Sequence, residues 1–508
     1  MSTIYQLVNQ HRLNTPTKTA ITYQGLTTSY QSLLDDVDAF TNGLLSIGIK
    51  RGSKVALFCG NNTEFVIALL AAAKLGAAIA PLPLTLKGKA LATALTTIDC
   101  EYVIAWQHIS QLLLSQSLIS NKHLVTIGSK AANEHSFTEL MESDIKPLLG
   151  NDEVSADDDF IYTLTSGSTG VPKPIVFSQQ TKINRAFGAT VDYYQLSAED
   201  VVLVATPLYH SLAQRSVLMP LMLGASAVLL PKFSVPAWLS AVEQQQVSFL
   251  FAVASQLTAL LPELDKAKLS SVRVMVSSSA TLSAEDKQLL LDKLDCQFHE
   301  CYGASELGVV TDFDITFKNQ PLASVGKALP FVDIKVTDEQ RKELPTGQVG
   351  EIVCRSSTCF KGYYKLPLQT AESLDEQGYF YTGDLGYLDE AGYLYYVGRK
   401  KEVISSGGIN VYPSDIESVI KTHPLVSECV AFGVPDKKFG EMIKVVFETL
   451  DKTTCINEME LRKLCFEQLT DYQQPKYILQ VEHLERNNLG KLLRNNIKLA
   501  YQASEDER

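Results

Sequence analysis

The sequence predicts an α/β fold: a large N-terminal domain of several subdomains with parallel sheets and a small β subdomain, then a small α+β C-terminal domain. Three observations predict it. Short apolar runs alternate with amphipathic helical stretches over the first part of the chain, the pattern of a parallel sheet covered by helices. From about residue 324 short strands are separated by glycine-punctuated turns, the pattern of an antiparallel β subdomain. From about residue 402 a separate set of helix and strand signals begins.

Residues 30–47 place Leu33, Leu34, Val37, Phe40, Leu44 and Leu45 on one helical face, with Gly48 as the stop. Residues 55–59 read as a buried strand. Asn61, with Glu64 three positions on, is the expected cap of the next helix, and Gly76 its end. A strand at 77–81, a helix at 88–97 and a strand at 102–105 follow. Residues 130–157 are polar and weakly patterned, as in a connection. Further strands are expected at 201–205, 227–230, 249–253, 272–276 and 297–301, with helices at 236–246 and 283–294. The β subdomain has candidate strands at 333–337, 350–354, 379–381 and 393–397. In the last unit Ser414 and Glu417 form a capping-box pattern after Pro413, and the helix should stop before Pro424. Leu461, Leu464, Cys465 and Leu469 mark another helix.

A chain of 508 residues is long enough for a large core and several subdomains. Its net charge of −12 is spread without long blocks, which argues against a general nucleic-acid or anionic-membrane binder. Apolar runs such as residues 66–73 are too short for a membrane span, and the N-terminus lacks a basic start and apolar core of a signal peptide. Nine cysteines without a C-x-x-C pair suggest reduced thiols, a cytoplasmic location and no metal–cysteine cluster.

The stretch that suggests chemistry first is residues 162–173, YTLTSGSTGVPK. Thr165, Ser166, Gly167, Ser168, Thr169 and Gly170 alternate hydroxyls with glycines, and Lys173 follows. Bare backbone N–H groups, hydroxyl donors and one cation suit a phosphate chain. Val171 and Pro172 separate Gly170 from the lysine, so this is not a Walker A loop. Alone, the run reads equally well as a surface loop. Four weaker stretches join it. Tyr302-Gly303-Ala304-Ser305-Glu306 follows a predicted strand, where Tyr302 can stack on a purine and Glu306 can offer oxygens to Mg²⁺, or where a turn simply carries a solvated Glu. Asp384, between Gly383 and Gly386, suits a ribose diol or is an ordinary β-turn Asp. Arg399 can reach phosphate or ribose, and Ser406-Gly407-Gly408 would let a thiol arm pass close to backbone. Gly490-Lys491 near the C-terminus is unremarkable by itself.

Together and in this order, these five stretches resemble the adenylate-forming superfamily, which includes acyl-CoA and aryl-CoA synthetases, beetle luciferases and the adenylation domains of peptide synthetases. The resemblance runs from the N-terminal helices to Lys491. It implies ATP-dependent activation of a small-molecule carboxylic acid, fatty or aromatic, to an acyl-adenylate, followed by thioester formation with CoA. A carrier protein's phosphopantetheine is the alternative acceptor, and a non-catalytic scaffold the remaining reading. The retained Lys173, Glu306, Asp384, Arg399 and Lys491 argue against the scaffold.

The resemblance also implies roles. Thr165, Ser166, Gly167, Ser168, Thr169, Gly170 and Lys173 would cradle the triphosphate of ATP, with Thr165 and Glu306 holding Mg²⁺. Tyr302, Gly303 and Ser305, with Ser279 and Ala280, would flank the adenine. Asp384 and Arg399 would bind ribose. Lys491 would bridge acyl carboxylate and α-phosphate, while Ser406, Gly407 and Gly408 would admit the CoA or pantetheine arm. It further implies a division into residues 1–399 and a mobile C-terminal domain, 400–508, turning about Lys401. Three departures stand out: Pro174 replaces the usual Gly after the Pro-Lys pair, Ser278-Ser279-Ala280 replaces Gly-Gly-Ala, and Glu485 replaces a Pro. Residues 207–214 carry no Asp to pair with an amine, which disfavours an α-amino acid. His210 there resembles the gate of acyl- and aryl-CoA synthetases, or is a packed core histidine. Ser211 after it speaks against a dihydroxybenzoate. Arg215 reads as a surface ion pair in preference to a partner for a second carboxylate.

Overall fold

The computed structural model describes residues 2–130, 134–142, 154–165, 173–280, 282–316, 320–436, 438–487 and 490–502. The chain divides into two compact units: Met1–Asp333 with Arg355–Phe380, and Ile334–Cys354 with Tyr381–Arg508.

The first unit contains, among the described residues, two large sheets. One has nine strands, with Gln297–Ala304, Val274–Ser278, Phe249–Val253, Val201–Val204, Ser226–Leu229 and Thr19–Tyr23 as successive parallel neighbours in its middle. Its registers include Val253 opposite Ser278 and Ser277 opposite Glu300, so these strands end on a common side. The other sheet has eight strands and runs parallel from Asp159–Thr165 through Ala78–Pro81, Lys54–Phe58 and Tyr102–Trp106. Its core is built from Phe58, Leu91, Leu95, Val103, Leu113 and Leu124.

Local chemistry sets the helices that flank these sheets. The helix Tyr30–Ser46 buries Leu33, Leu34, Val37, Phe40 and Leu44, as the periodicity predicts. The apolar run at 66–73 is the centre of a buried helix, Thr63–Leu75, which ends at Gly76 with φ +69°. Among the described residues no helix is long and apolar enough to cross a membrane.

Several local expectations are corrected. The cap of Thr63–Leu75 is Asn62, whose Oδ1 accepts the Phe65 N–H at 3.0 Å, and Asn61 does other work described below. The strand expected at 297–301 runs on to Ala304 and turns back antiparallel into Gly308–Asp314. Tyr302 and Gly303 are therefore strand residues, not a turn. Likewise Asp384 lies inside the strand Phe380–Leu388 and not in a β-turn. The capping box at Ser414 and Glu417 does not form. The Ser414 hydroxyl donates to the Val397 carbonyl at 2.7 Å, and Glu417 accepts the Ala431 N–H at 2.7 Å. Within the expected connection, His135–Ser136 is a short strand and Phe137–Glu142 a helix.

In the second unit Val332–Thr337, Gly350–Ser356, Phe380–Leu388 and Leu394–Arg399 contribute to a four-stranded sheet among the described residues. A further sheet of five strands packs Val445, Phe447, Ala431 and Cys429 against Ile416 and Ile420 of the helix Pro413–Lys421 and Leu461 and Cys465 of Glu458–Gln468.

Candidate active site

The parallel strands of the nine-stranded sheet deliver candidate groups at their carboxyl ends, where α/β sheets bind ligands. After Val201–Val204 the chain is pinned by Asn61. Its amide donates to the carbonyls of Thr206 and Leu230 at 2.9 and 3.0 Å, and its Oδ1 accepts the Leu208 N–H at 2.8 Å. This fixes the turn that presents His210, whose N–H bonds the Pro207 carbonyl and whose ring lies 4.3 Å from that of Tyr209. Burial pushes the His210 pKa down to about 4, so the imidazole is neutral at pH 7. Its Nε2 is buried without a hydrogen-bond partner among the described residues.

After Val274–Ser278 come Ser279 and Ala280, both exposed. Ser279 has φ +78°, a left-handed conformation that costs a non-glycine residue roughly 1–2 kcal/mol. Exchange to Gly removes that strain but adds chain entropy in the unfolded state. We expect Ser279→Gly to stabilise the protein by about 1 kcal/mol or less, read as a higher denaturation midpoint. A lowered midpoint would mean that the serine side chain holds the turn.

Gln297–Ala304 carries the next groups. The register shifts between Tyr302 and Gly303, and a Cβ at Gly303 would sit 2.0 Å from the Gly308 carbonyl oxygen. Only glycine fits there. Just beyond, Glu306 accepts a hydrogen bond at 2.9 Å from the Tyr363 hydroxyl. Desolvation, and then the Glu306 charge, push the Tyr363 pKa up, so it stays a donor. Lys173 Nζ lies 5.2 Å from the Tyr363 ring centre, and Tyr363 pairs across from Ile175 in the strand next to it. The structure thus brings together Lys173 and Glu306, as the sequence expected, and adds Tyr363. Glu306 offers the hard oxygen donors that Mg²⁺ takes, so this part of the donor set fits the ion.

The backbone of Thr165 pairs with that of Lys173. Ser166, Gly167, Ser168, Thr169 and Gly170 lie outside the described residues. Pro174 now has a place: it is the second residue of the strand Lys173–Ser178, and its carbonyl accepts the Tyr364 N–H at 2.9 Å. A strand end tolerates proline because a missing N–H there breaks little of the ladder.

Sequence reasoning did not find the basic residues under these strand ends. Arg185 donates to the carbonyls of Ser305, Glu306 and Thr358 at 3.1, 3.0 and 2.9 Å and so holds the Tyr302–Glu306 segment in place. It sits on Gln179–Ala186, a helix that buries Gln179, Thr181, Lys182 and Arg185. The available signal was a polar helix following a buried strand. Arg215, expected at the surface, is buried as well.

The second unit carries the rest. Asp384 is 2 % exposed, and Arg399 Nε lies 2.7 Å from its Oδ1, the two residues being paired across adjacent strands. The Thr382 hydroxyl accepts the Asp384 N–H at 3.0 Å and donates to the Ile352 carbonyl at 2.7 Å, which fixes this strand locally. Asn487 holds the Lys491 backbone: its N–H donates to the Lys491 carbonyl at 2.8 Å and its Oδ1 accepts the Lys491 N–H at 3.0 Å. The Lys491 side chain is exposed by area, but protein atoms crowd it. That desolvation, followed by the Arg399 cation, lowers its pKa, while Asp384 and Glu402 act in the opposite direction. Lys491, Arg399 and Asp384 therefore share one electrostatic neighbourhood.

Gly407 and Gly408 form the two-residue turn between the strands Ile404–Ser406 and Ile409–Val411, with Ser406 closing the first strand opposite Ile409. Gly407 and Gly408 have φ +60° and +81°, the pair of positive values that a type I′ turn requires. Lys401 is exposed in the single turn Lys400–Glu402 directly after the strand that ends in Arg399.

Comparison with known proteins accords with this arrangement. Residues 8–364 match the model of the AMP-binding enzyme family, and residues 415–491 that of the AMP-binding enzyme C-terminal domain. An indoleacetate–CoA ligase of Aromatoleum aromaticum is 28 % identical over 498 residues, covering 97 % of this chain and 96 % of its own. A feruloyl-CoA synthase of an Amycolatopsis species is 30 % identical over 493 residues, covering 95 % and 96 %. The crystal structure of ATP-bound MatB from Rhodopseudomonas palustris superposes with a TM-score of 0.89 at 29 % identity, over 99 % of both chains. The chain belongs to the AMP-binding enzyme family, the adenylate-forming superfamily that its five motifs resemble.

Proposed function

We propose that this protein is an AMP-forming acid–thiol ligase that activates a carboxylic acid with ATP and passes the acyl group to the thiol of CoA. In the first step the acid's carboxylate attacks the α-phosphate, giving acyl-adenylate and pyrophosphate. In the second the thiol attacks the acyl carbon and AMP leaves. The observation that carries this reading is the gathering of Lys491, Arg399 and Asp384, residues far apart in sequence. A buried carboxylate braced by a guanidinium suits a ribose diol, and a partly desolvated ammonium beside it suits two anions that must meet.

Lys173, with the loop of Thr165, Ser166, Gly167, Ser168, Thr169 and Gly170, would hold the leaving pyrophosphate. Tyr302, Gly303, Ser305, Ser279 and Ala280 would flank the adenine. Glu306, oriented by Tyr363, and Thr165 would hold Mg²⁺, which when bound neutralises part of the triphosphate charge. Neutral His210 would border the reacting carboxylate without competing for its charge. Ser406, Gly407 and Gly408 would let the pantetheine arm pass, since neither glycine carries a side chain. Residues 400–508 would turn about Lys401 between the steps.

The test is pyrophosphate release with a panel of short, medium-chain and aromatic acids, followed by AMP and thioester formation on adding CoA. Pyrophosphate release with at least one acid and a CoA thioester as product is the expected result. AMP formation only with a phosphopantetheinylated carrier protein would move the acceptor from CoA to a carrier. No release with any acid would leave a scaffold.

A further inference from the structure

Beneath the strand ends of the first unit lie three basic side chains that, among the described residues, no carboxylate pairs with. Lys182, Arg185 and Arg215 are 4 %, 4 % and 8 % exposed. Lys182 Nζ donates to Gln214 Oε1 at 2.8 Å and lies 3.4 Å from Ser211 Oγ. Arg185 reaches the same Ser211 hydroxyl at 3.3 Å. The Arg215 guanidinium stacks 4.5 Å from the Phe251 ring centre, and its Nη1 is buried without a hydrogen-bond partner among the described residues. The three are close enough to repel one another: Arg185 and Arg215 both act on Lys182, after desolvation, to hold its pKa well down. Among the described residues no carboxylate stands within ion-pair distance of any of them, and the Cys359 thiol and then Glu306 reach Arg185 at longer range.

The same unit treats another buried lysine differently: Lys287, with no exposed side chain, is paired with Glu300 at 2.6 Å. An unpaired buried charge is strongly unfavourable. Arginine cannot avoid that cost by losing its proton. An anion that enters from outside the chain would offset it.

The location says which anion. Ser211, Gln214 and Arg215 belong to the helix Ser211–Leu223, headed by His210, and Arg185 holds the carbonyls of Ser305 and Glu306. The cations therefore border the groups assigned to the acid. The reacting carboxylate must meet the α-phosphate and is not available to neutralise them. We infer that the acid carries a second anionic group, a carboxylate remote from the reacting one, received by Arg215 with Lys182 beside it. The inference rests on the ligase reading and narrows its substrate to dicarboxylic acids. A guanidinium donates two parallel N–H bonds to such a group, with Phe251 fixing its plane.

The test compares acids of equal length with and without the second carboxylate: succinate against butyrate, adipate against hexanoate, terephthalate against benzoate. In the wild-type protein kcat/KM for pyrophosphate release should favour the diacid of at least one pair by about tenfold or more. Arg215→Leu should abolish that preference, raising KM for the diacid and leaving KM for ATP unmoved, and Arg215→Lys should restore part of it. Turnover of monoacids at equal or higher kcat/KM in every pair overturns the inference and leaves the ligase intact. A rise in the ATP KM alone overturns it too, by assigning the cations to the triphosphate. Should Arg215→Leu fail to fold by circular dichroism, the wild-type pairs and Lys182→Met decide. No pyrophosphate from any acid removes the ligase reading and this inference with it.

Discussion

Lys491→Ala is expected to slow acyl-adenylate formation by roughly 10²–10³-fold and to leave thioester formation from supplied acyl-AMP within a few-fold of wild type. In adenylation two anions converge, and a fixed cation is worth most at that moment. In the thioester step the phosphate leaves as AMP and no second anion approaches it. The substitution is structurally mild, because the turn that presents Lys491 is held by the Asn487 side chain and by backbone groups that alanine keeps. Equal losses in both half-reactions of a folded variant would contradict the assignment. There is a pH signature as well. Desolvation and Arg399 lower the lysine's pKa, so the ammonium loses its proton at a lower pH than an ordinary lysine. Adenylation should therefore decline on the alkaline side, as pH rises through that lowered value, and Lys491→Arg should remove the decline while keeping part of the rate. A wild-type alkaline limb unchanged in Lys491→Arg would assign it to another group.

How much of this was legible beforehand follows from what each signal depends on. The order of strands and helices was readable because local periodicity and caps are local properties, as the helix Tyr30–Ser46 and the glycine end of Thr63–Leu75 illustrate. Asp384 and Arg399 were legible as motif residues, but their pairing at 2.7 Å was not, since cross-strand register depends on a distant hydrogen-bond ladder. Asn61 was misread for the same reason. Its amide satisfies carbonyls at Thr206 and Leu230, and local cap rules see neither. Tyr363 carries no motif around it and gains its meaning from facing Glu306. Lys182, Arg185 and Arg215 were the least readable, because a charged residue in sequence is ordinarily solvated and only tertiary packing shows that these are not. Pro174 was a departure from the family pattern with no account until the strand Lys173–Ser178 gave it one.

Lys401→Pro is expected to leave adenylation within a few-fold of wild type and to reduce thioester formation by roughly 10²-fold or more, the penalty for reacting groups held out of line. The reason lies in the division of labour proposed for the second unit. Lys491 serves the first step and the Ser406-Gly407-Gly408 hairpin the second, yet both lie beyond Lys401 in residues 400–508. A unit that presents different faces in successive steps needs a pivot whose backbone dihedrals change. Lys401 is suited to that place: it is exposed and lies in the single turn Lys400–Glu402, which directly follows the strand that anchors Arg399 to Asp384. Proline fixes φ near −65° and also restricts Lys400 before it, so it narrows both residues of the turn. Lys401→Ala removes the side chain and keeps the backbone freedom, and should leave both half-reactions close to wild type. If the proline variant folds and forms thioester at the wild-type rate, the pivot lies elsewhere in the chain. If the alanine variant fails as badly as the proline one, the side chain is what the second step uses, and the backbone argument does not hold.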